Sequence, residues 1–311
     1  MSILVAADFN PEEWSAWWPA LQAALPGEQL LRERGDTPAE QIDIALVANP
    51  PAGALRGLPA LRLIQSLWAG VDTLLADPSV PRQVPLARMV DPALSEAMAQ
   101  TALWAVLGLH RGFFTCAEQQ RARQWRQHPQ QRADEVPLAV LGLGQMGRGV
   151  AQRLVQNGYT VHGWSTRHAV VDGVATSAGD TALPQVLAAA RIVINLLPLT
   201  DATRGLFNAQ RFAHMQPGAS LVNLARGAHV VDADLLAALD SGHLSHAVLD
   251  VFSTEPLPTS HAFWGHPKIT VLPHIAALTD ARSAAQMVAR NVHALREGRP
   301  LENLVDRLRG Y

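Results

Sequence analysis

Three groups of residues in this chain have the types and spacing to do chemistry. The first is Gly142-Leu143-Gly144-Gln145-Met146-Gly147, which follows the apolar run Leu138 to Leu141. Gly142 permits a tight turn, Gly144 lets backbone approach a pyrophosphate, and Gly147 lets a helix pack on a strand. The helix that starts at Gln145 and Met146 then points free N–H groups at the phosphates. Such a turn alone is a weak signal, but strand, turn and helix occur here in the order that dinucleotide binding requires. The second group is Arg226, Glu255 and His274. Arg226 follows Val222-Asn223-Leu224-Ala225, Glu255 follows Asp250-Val251-Phe252, and His274 follows Val271-Leu272-Pro273. Singly they read as a surface cation, a loop charge and a core histidine. At equivalent positions after consecutive strands they converge, because the carboxyl ends of such strands face one ligand crevice. The third group is Ser165-Thr166-Arg167, which ends the strand after the glycine turn. NAD-selective folds place a carboxylate there, about 20 residues beyond the turn. A carboxylate would repel a 2′-phosphate, whereas these three residues could bind one. The alternative is a solvated loop with no selectivity.

The elements that must position these residues alternate along the chain. Strands are expected at 3–7, 44–48 and 61–67, and a helix at 11–24 in which Trp14, Trp17 and Leu21 recur near helical spacing. That is a small parallel α/β domain. Residues 94–125 carry the longest helical pattern, weakened at Gly108 and Gly112, so that one helix and two are equally good readings. Residues 129–137 read as a linker. Strands then follow at 138–141, 160–164, 192–196, 220–223, 247–251 and 270–272, with helices between, one of them at 232–241 and closed by Gly242. An amphipathic helix at 279–297 carries Val288, Val292 and Leu295 on one face and is expected to return to the first domain. The fold class is α/β, with two Rossmann-like, doubly wound parallel-sheet domains, a cleft between them and two crossover helices. The first domain comprises residues 1–92 plus 283–311, and the dinucleotide domain residues 93–282.

Composition narrows the class. Hydrophobic residues make up 48% and charged residues 17% of the chain, which suits a globular protein with sizeable cores. A formal charge of −2 gives no reason to expect a nucleic-acid or anionic-membrane partner. No apolar run approaches the ~18 residues of a membrane span. No basic segment precedes the first apolar run, so no secretory signal is expected. Cys116 is the sole cysteine, which rules out an intrachain disulfide or thiolate metal cluster and suits a reducing cytoplasm. No metal is expected.

The motifs Gly142 to Gly147, Asn223-Leu224-Ala225-Arg226-Gly227, Asp250-Val251-Phe252-Ser253-Thr254-Glu255-Pro256 and Pro273-His274-Ile275-Ala276 resemble the D-isomer-specific 2-hydroxyacid dehydrogenase family. The resemblance covers essentially the whole chain. Ile194 to Pro198, Asp234 to Gly242, Phe252 to Pro258 and Arg309-Gly310-Tyr311 resemble a subgroup that reduces glyoxylate and hydroxypyruvate. The resemblance implies hydride transfer from NADPH, with NADH possible, to the C2 carbonyl of a small 2-oxo acid. His274 would then be the general acid and Glu255 the partner that orients it and raises its pKa. Arg226 would bind the substrate carboxylate and polarise the carbonyl, aided by backbone N–H groups of Trp68-Ala69-Gly70. The cofactor would also meet Leu197, Pro198, Thr203, Leu224, Ala225, Asp250 and Ala276, besides Arg226 and His274. The family further implies a homodimer built through residues 94–125.

The sequence departs from that subgroup at four positions. Ala48-Asn49 replaces a tryptophan and a histidine, Trp68 replaces a glycine, and Gln100 stands where many members have glutamate. The Trp68 ring either enters the cleft, compensating the loss at Ala48, or packs structurally. The reaction class is untouched, but a preference for bulkier 2-oxo acids becomes an alternative. β-Hydroxyacid dehydrogenases share the glycine turn, but they begin with it and use a catalytic lysine; here 137 residues precede Leu138 and Lys268 is the sole lysine. Formate dehydrogenases pair their histidine with glutamine rather than glutamate. A dinucleotide-sensing corepressor would keep all three polar residues and is the alternative of another class.

Overall fold

The computed structural model describes residues 1–311 and separates into two compact units, residues 1–94 with 279–311 and residues 95–278. No helix is long and apolar enough to cross a membrane.

The first unit is built on β1 (Ser2–Ala7), α1 (Pro11–Ala24), β2 (Gln29–Leu31), β3 (Ile42–Ala48), β4 (Leu63–Ser66), α2 (Asp72–Ala76) and β5 (Leu86–Ala87). The parallel sheet runs in the order β2-β1-β3-β4-β5. Helix α1 starts where the sequence can cap it. The Asn10 side chain accepts from the N–H groups of Glu12 and Glu13, and Glu13 accepts from the Asn10 N–H. Its Trp17 and Leu21 pack against Ala284, Val288 and Val292 of the C-terminal helix (Ala281–Arg296). Polar contacts hold that helix to the same unit. Asn291 Nδ2 donates to Gln65 Oε1 at 2.7 Å, and the Arg296 guanidinium bridges Glu28 and Asp43.

The second unit adds α3 (Pro92–His110), α4 (Phe113–Arg121), β6 (Leu138–Leu141), α5 (Gln145–Gln156), β7 (Val161–Ser165), β8 (Ala175–Ala178), α6 (Leu183–Ala189), β9 (Ile192–Asn195), α7 (Ala209–His214), β10 (Ala219–Asn223), α8 (Asp232–Asp240), β11 (Leu244–Leu249) and β12 (Ile269–Val271). All seven strands are parallel, in the order β12-β11-β10-β9-β6-β7-β8. One face of the sheet buries Ala102, Val106, Val150 and Leu154 from α3 and α5, and the other buries Val186, Leu187, Leu235 and Leu239 from α6 and α8. This is the doubly wound architecture, with its order reversing between β6 and β9.

Of the two readings of residues 94–125, the two-helix one holds, with the break at Gly112 (φ +69°). Three details differ from the sequence expectation. The helical pattern ends at Arg121. Only α3 spans the division between the units; the chain returns at Leu278 and Thr279, ahead of the C-terminal helix, so the second crossing is not helical. Strands β2, β5 and β8 were not expected. All three lie at sheet edges; β2 and β5 have only three and two residues, and β8 is small and polar, so none carries an apolar pattern.

Candidate active site

The glycine turn sits at the point where the strand order of the larger sheet reverses. Gly142 has φ +97°, and a Cβ there would lie 2.6 Å from the Leu196 carbonyl oxygen, in the loop that follows β9. A Cβ on Gly147 would run into the Gly142 carbonyl oxygen, so that turn and helix close on each other only through glycine. Nothing lies within 4 Å of the Cβ position of Gly144. That residue caps α5 without a side chain, leaving the first N–H groups of Gln145 and Met146 to a ligand. The cradle therefore fits a pyrophosphate, by the chemistry of its donors and by the room above Gly144.

The three polar residues stand on loops at the carboxyl ends of β10, β11 and β12. His274 Nδ1 lies 2.6 Å from Glu255 Oε2, and Glu255 Oε1 accepts from the Phe252 N–H at 2.8 Å. The hydrogen bond to Glu255 holds the His274 pKa above its ordinary value, against the opposing effect of burial. For Glu255 burial pushes the carboxyl up, but the hydrogen bonds from His274 and Phe252 outweigh it and the net shift is down. Glu255 thus stays ionised while His274 titrates. The Arg226 charge bears on both groups, lowering each pKa.

His274 holds a left-handed backbone, φ +55°, which costs a non-glycine residue about 1–3 kcal/mol and needs outside support. Asp250 supplies it. Its carbonyl accepts from the His274 N–H at 2.9 Å, and its carboxylate accepts from the N–H groups of Ile275 (2.7 Å) and Ala276 (3.0 Å). The Ala276 carbonyl in turn accepts from Thr101 Oγ1 of α3 at 2.7 Å. Asp250 is 1% exposed, and burial raises its pKa although those N–H groups oppose the rise. Its carboxylate is thereby committed to the loop that carries His274.

Sequence reasoning missed a buried polar set beneath these loops. Asn195 ends β9, Asn223 ends β10, and His229 follows Gly227; all three are 0% exposed. The signal was present, since a polar residue interrupts an apolar run at Ile194-Asn195-Leu196 and at Val222-Asn223-Leu224. Leu197, Pro198 and Thr203 form one loop that the set supports, with Thr203 Oγ1 donating to the Pro198 carbonyl at 2.8 Å. Leu224, Ala225 and Arg226 form the other.

Comparisons with known proteins decide what this arrangement belongs to. The family model for the D-isomer specific 2-hydroxyacid dehydrogenase NAD binding domain matches residues 103–276. The chain is 41% identical over 310 residues to glyoxylate/hydroxypyruvate reductase A of Serratia proteamaculans, covering 97% of each. This chain belongs to the D-isomer-specific 2-hydroxyacid dehydrogenase family. Among solved structures it resembles a family member from Xanthobacter autotrophicus in complex with NADPH and MES, at 39% identity and a TM-score of 0.95 over 100% of this chain and 99% of that one. It also resembles the NADPH-dependent glyoxylate/hydroxypyruvate reductase of Sinorhizobium meliloti in complex with NADP and sulfate, at 33% identity and a TM-score of 0.94 over 100% of both.

The positions where this family member departs from the expected pattern have local explanations. Trp68 is half-buried, with its ring edge-on to Phe9 (6.0 Å) and Trp17 (5.7 Å), and joins the same apolar cluster as Ala48. These ring contacts support the packing reading. Ser66 Oγ donates to the Trp68 carbonyl and accepts its N–H, tying the start of the Trp68-Ala69-Gly70 loop to β4. Asn49 adopts φ +46°, a conformation asparagine tolerates better than most residues. Gln100 donates to Glu96, which also pairs with Arg153. After β7, Ser165 Oγ donates to the Arg167 carbonyl at 2.6 Å, which curls the loop and leaves Thr166 and Arg167 exposed.

Proposed function

We propose that this chain reduces small 2-oxo acids, glyoxylate and hydroxypyruvate among them, to 2-hydroxy acids with NADPH. The observation that carries the reading is the 2.6 Å pair of His274 and Glu255 at the carboxyl edge of a dinucleotide-type sheet. The substrate names come from the relatives, and the chemistry of the pair agrees with them. The cofactor is held by Gly142, Gly144, Gln145, Met146 and Gly147 at its pyrophosphate, and by Ser165, Thr166 and Arg167 at a 2′-phosphate. Leu197, Pro198, Thr203, Leu224, Ala225 and Ala276 line the rest of its groove. A reduced nicotinamide bound there supplies the hydride for C2 of the substrate.

The chain's own residues do the remainder. Arg226 binds the substrate carboxylate with its planar fork and draws electron density toward the carbonyl oxygen. In the first unit the Trp68 N–H is taken by Ser66 Oγ, which leaves the N–H groups of Ala69 and Gly70 for a carboxylate. As the oxygen gains charge, His274 donates a proton from Nε2, while Glu255 on Nδ1 stabilises the imidazolium that makes this possible. Asp250 holds the loop so that the imidazole faces the reaction. The protein works as a homodimer through residues 94–125, a reading supported by Trp104, Phe113 and Trp125, which are 44%, 57% and 96% exposed. A cytoplasmic setting suits a chain with one cysteine, which is exposed and free.

A spectrophotometric assay tests the reading. Oxidation of NADPH should be rapid with glyoxylate and hydroxypyruvate and slower with bulkier 2-oxo acids, and NADH should be the poorer donor. Absence of turnover with every 2-oxo acid would point to a nucleotide-sensing role instead.

A further inference from the structure

We propose that Asn195, Asn223 and His229 form a positioning unit that couples the cofactor loop at Leu197-Pro198 to the backbone of Arg226, and that it works only with His229 neutral and protonated on Nε2. The inference rests on the reading of Arg226 as the group that binds the 2-oxo acid.

The hydrogen bonds fix the orientation of every member. Asn195 Oδ1 accepts from the Leu197 N–H at 3.3 Å. A backbone N–H can only donate, so the other terminal atom of Asn195 is its NH2. That NH2 donates to Asn223 Oδ1 at 2.9 Å and to His229 Nδ1 at 3.0 Å. Asn223 Oδ1 also accepts from the Ala225 N–H at 3.3 Å, so its Nδ2 is the atom that donates to the Arg226 carbonyl at 3.0 Å. His229 Nδ1 therefore accepts, and the proton sits on Nε2, which faces the Pro198 carbonyl at 3.3 Å. An imidazolium would set an Nδ1–H against the Asn195 NH2, donor against donor. A tautomer protonated on Nδ1 would do the same and would also leave Nε2 facing a carbonyl without a proton.

The unit reaches further through packing. A Cβ on Gly227 would run into the backbone of Phe252, whose N–H holds Glu255. The turn after Arg226 is thus pressed onto the segment that orients the Glu255–His274 pair. Because the three side chains are 0% exposed, water cannot replace a lost partner, and removing one leaves buried polar groups unsatisfied. Such a loss moves the loops, and misplacement of a binding group by about 1 Å can cost on the order of 100-fold in rate.

The test compares His229→Phe and His229→Gln with the wild type. Phenylalanine keeps the ring volume and removes both hydrogen-bonding functions, while glutamine restores a donor toward Pro198. In His229→Phe, kcat/KM for glyoxylate should fall by roughly 10- to 100-fold, counted per folded, NADPH-binding protein, and His229→Gln should recover part of it. A structural role alone would lower the melting temperature and leave kcat/KM of the folded fraction unchanged, which would overturn the proposal. Nitrogen-15 NMR of histidine-labelled wild type supplies a readout independent of turnover. His229 should show a protonated Nε2 and an unprotonated Nδ1 at neutral pH, and either of the other two protonation patterns would overturn it. A wild type that reduces no 2-oxo acid would overturn the functional reading and the positioning role with it, a failure visible without any variant.

Discussion

At the scale of single residues, the reading assigns different kinds of loss to different side chains. His274→Ala should lower kcat about 100-fold or more, the usual scale for a general acid, with NADPH affinity little changed in a fluorescence titration. Arg167→Ala should raise KM for NADPH far more than for NADH, because only the former carries a 2′-phosphate. Adding Ser165→Asp should then favour NADH, since the new carboxylate would repel that phosphate. Equal effects on the two cofactors would remove Arg167 from the 2′-phosphate site. Trp68 gives the opposite kind of expectation. Its ring packs against Phe9 and Trp17, so Trp68→Gly should destabilise the protein by about 3 kcal/mol in a denaturant titration. The ranking of 2-oxo acids should stay as it is. A change in that ranking with no loss of stability would show that the ring meets substrate instead.

At the scale of elements, the glycine turn and the strand ends do the positioning. Gly147→Ala should abolish cofactor binding, because its Cβ would drive the start of α5 away from the Gly142 carbonyl. Isothermal titration with NADPH measures this, and retained affinity would show that the turn relaxes around the methyl group. Much of this level is legible in the sequence. The buried strands β3, β6 and β10 read directly as apolar runs, and the turn after β6 follows from its three glycines. Arg226, Glu255 and His274 were legible because each lies three to six residues beyond the end of an apolar strand. What escaped has physical reasons. The edge strands β2 and β5 have only three and two residues, and β8 (Ala175-Thr176-Ser177-Ala178) is small and polar, so none carries an apolar pattern. Asn195, Asn223 and His229 lie inside motifs whose apolar neighbours dominate the reading, and only the fold shows that they bond to one another. The commitment of Asp250 to the His274 loop depends on the left-handed backbone at His274, which no local pattern announces.

At the scale of the whole molecule, cofactor binding and the proton balance of the reaction are properties of the complete chain. NADPH at 100 times its Kd should stabilise the protein by about 2.7 kcal/mol through mass action, read as a rise in melting temperature. Sedimentation should give twice the mass of the chain if residues 94–125 form the interface, and an aspartate at exposed Trp104 should reduce it to the chain mass. The proposed reduction depends on Glu255 raising the His274 pKa, so that a protonated imidazole is available near neutrality. A histidine whose pKa is raised stays charged as pH passes its ordinary value and loses its proton only as pH rises through the raised one. Reduction should therefore persist through neutrality and fall on the alkaline side, while oxidation of the 2-hydroxy acid, which needs neutral His274, should rise there. Glu255→Gln keeps a hydrogen bond and removes the charge. The most direct measurement is kcat/KM against pH in both directions for the wild type and Glu255→Gln. The account predicts that both limbs move to lower pH in the variant, with modest loss at the optimum. Limbs that stay where the wild type has them would contradict it and assign the titration to another group.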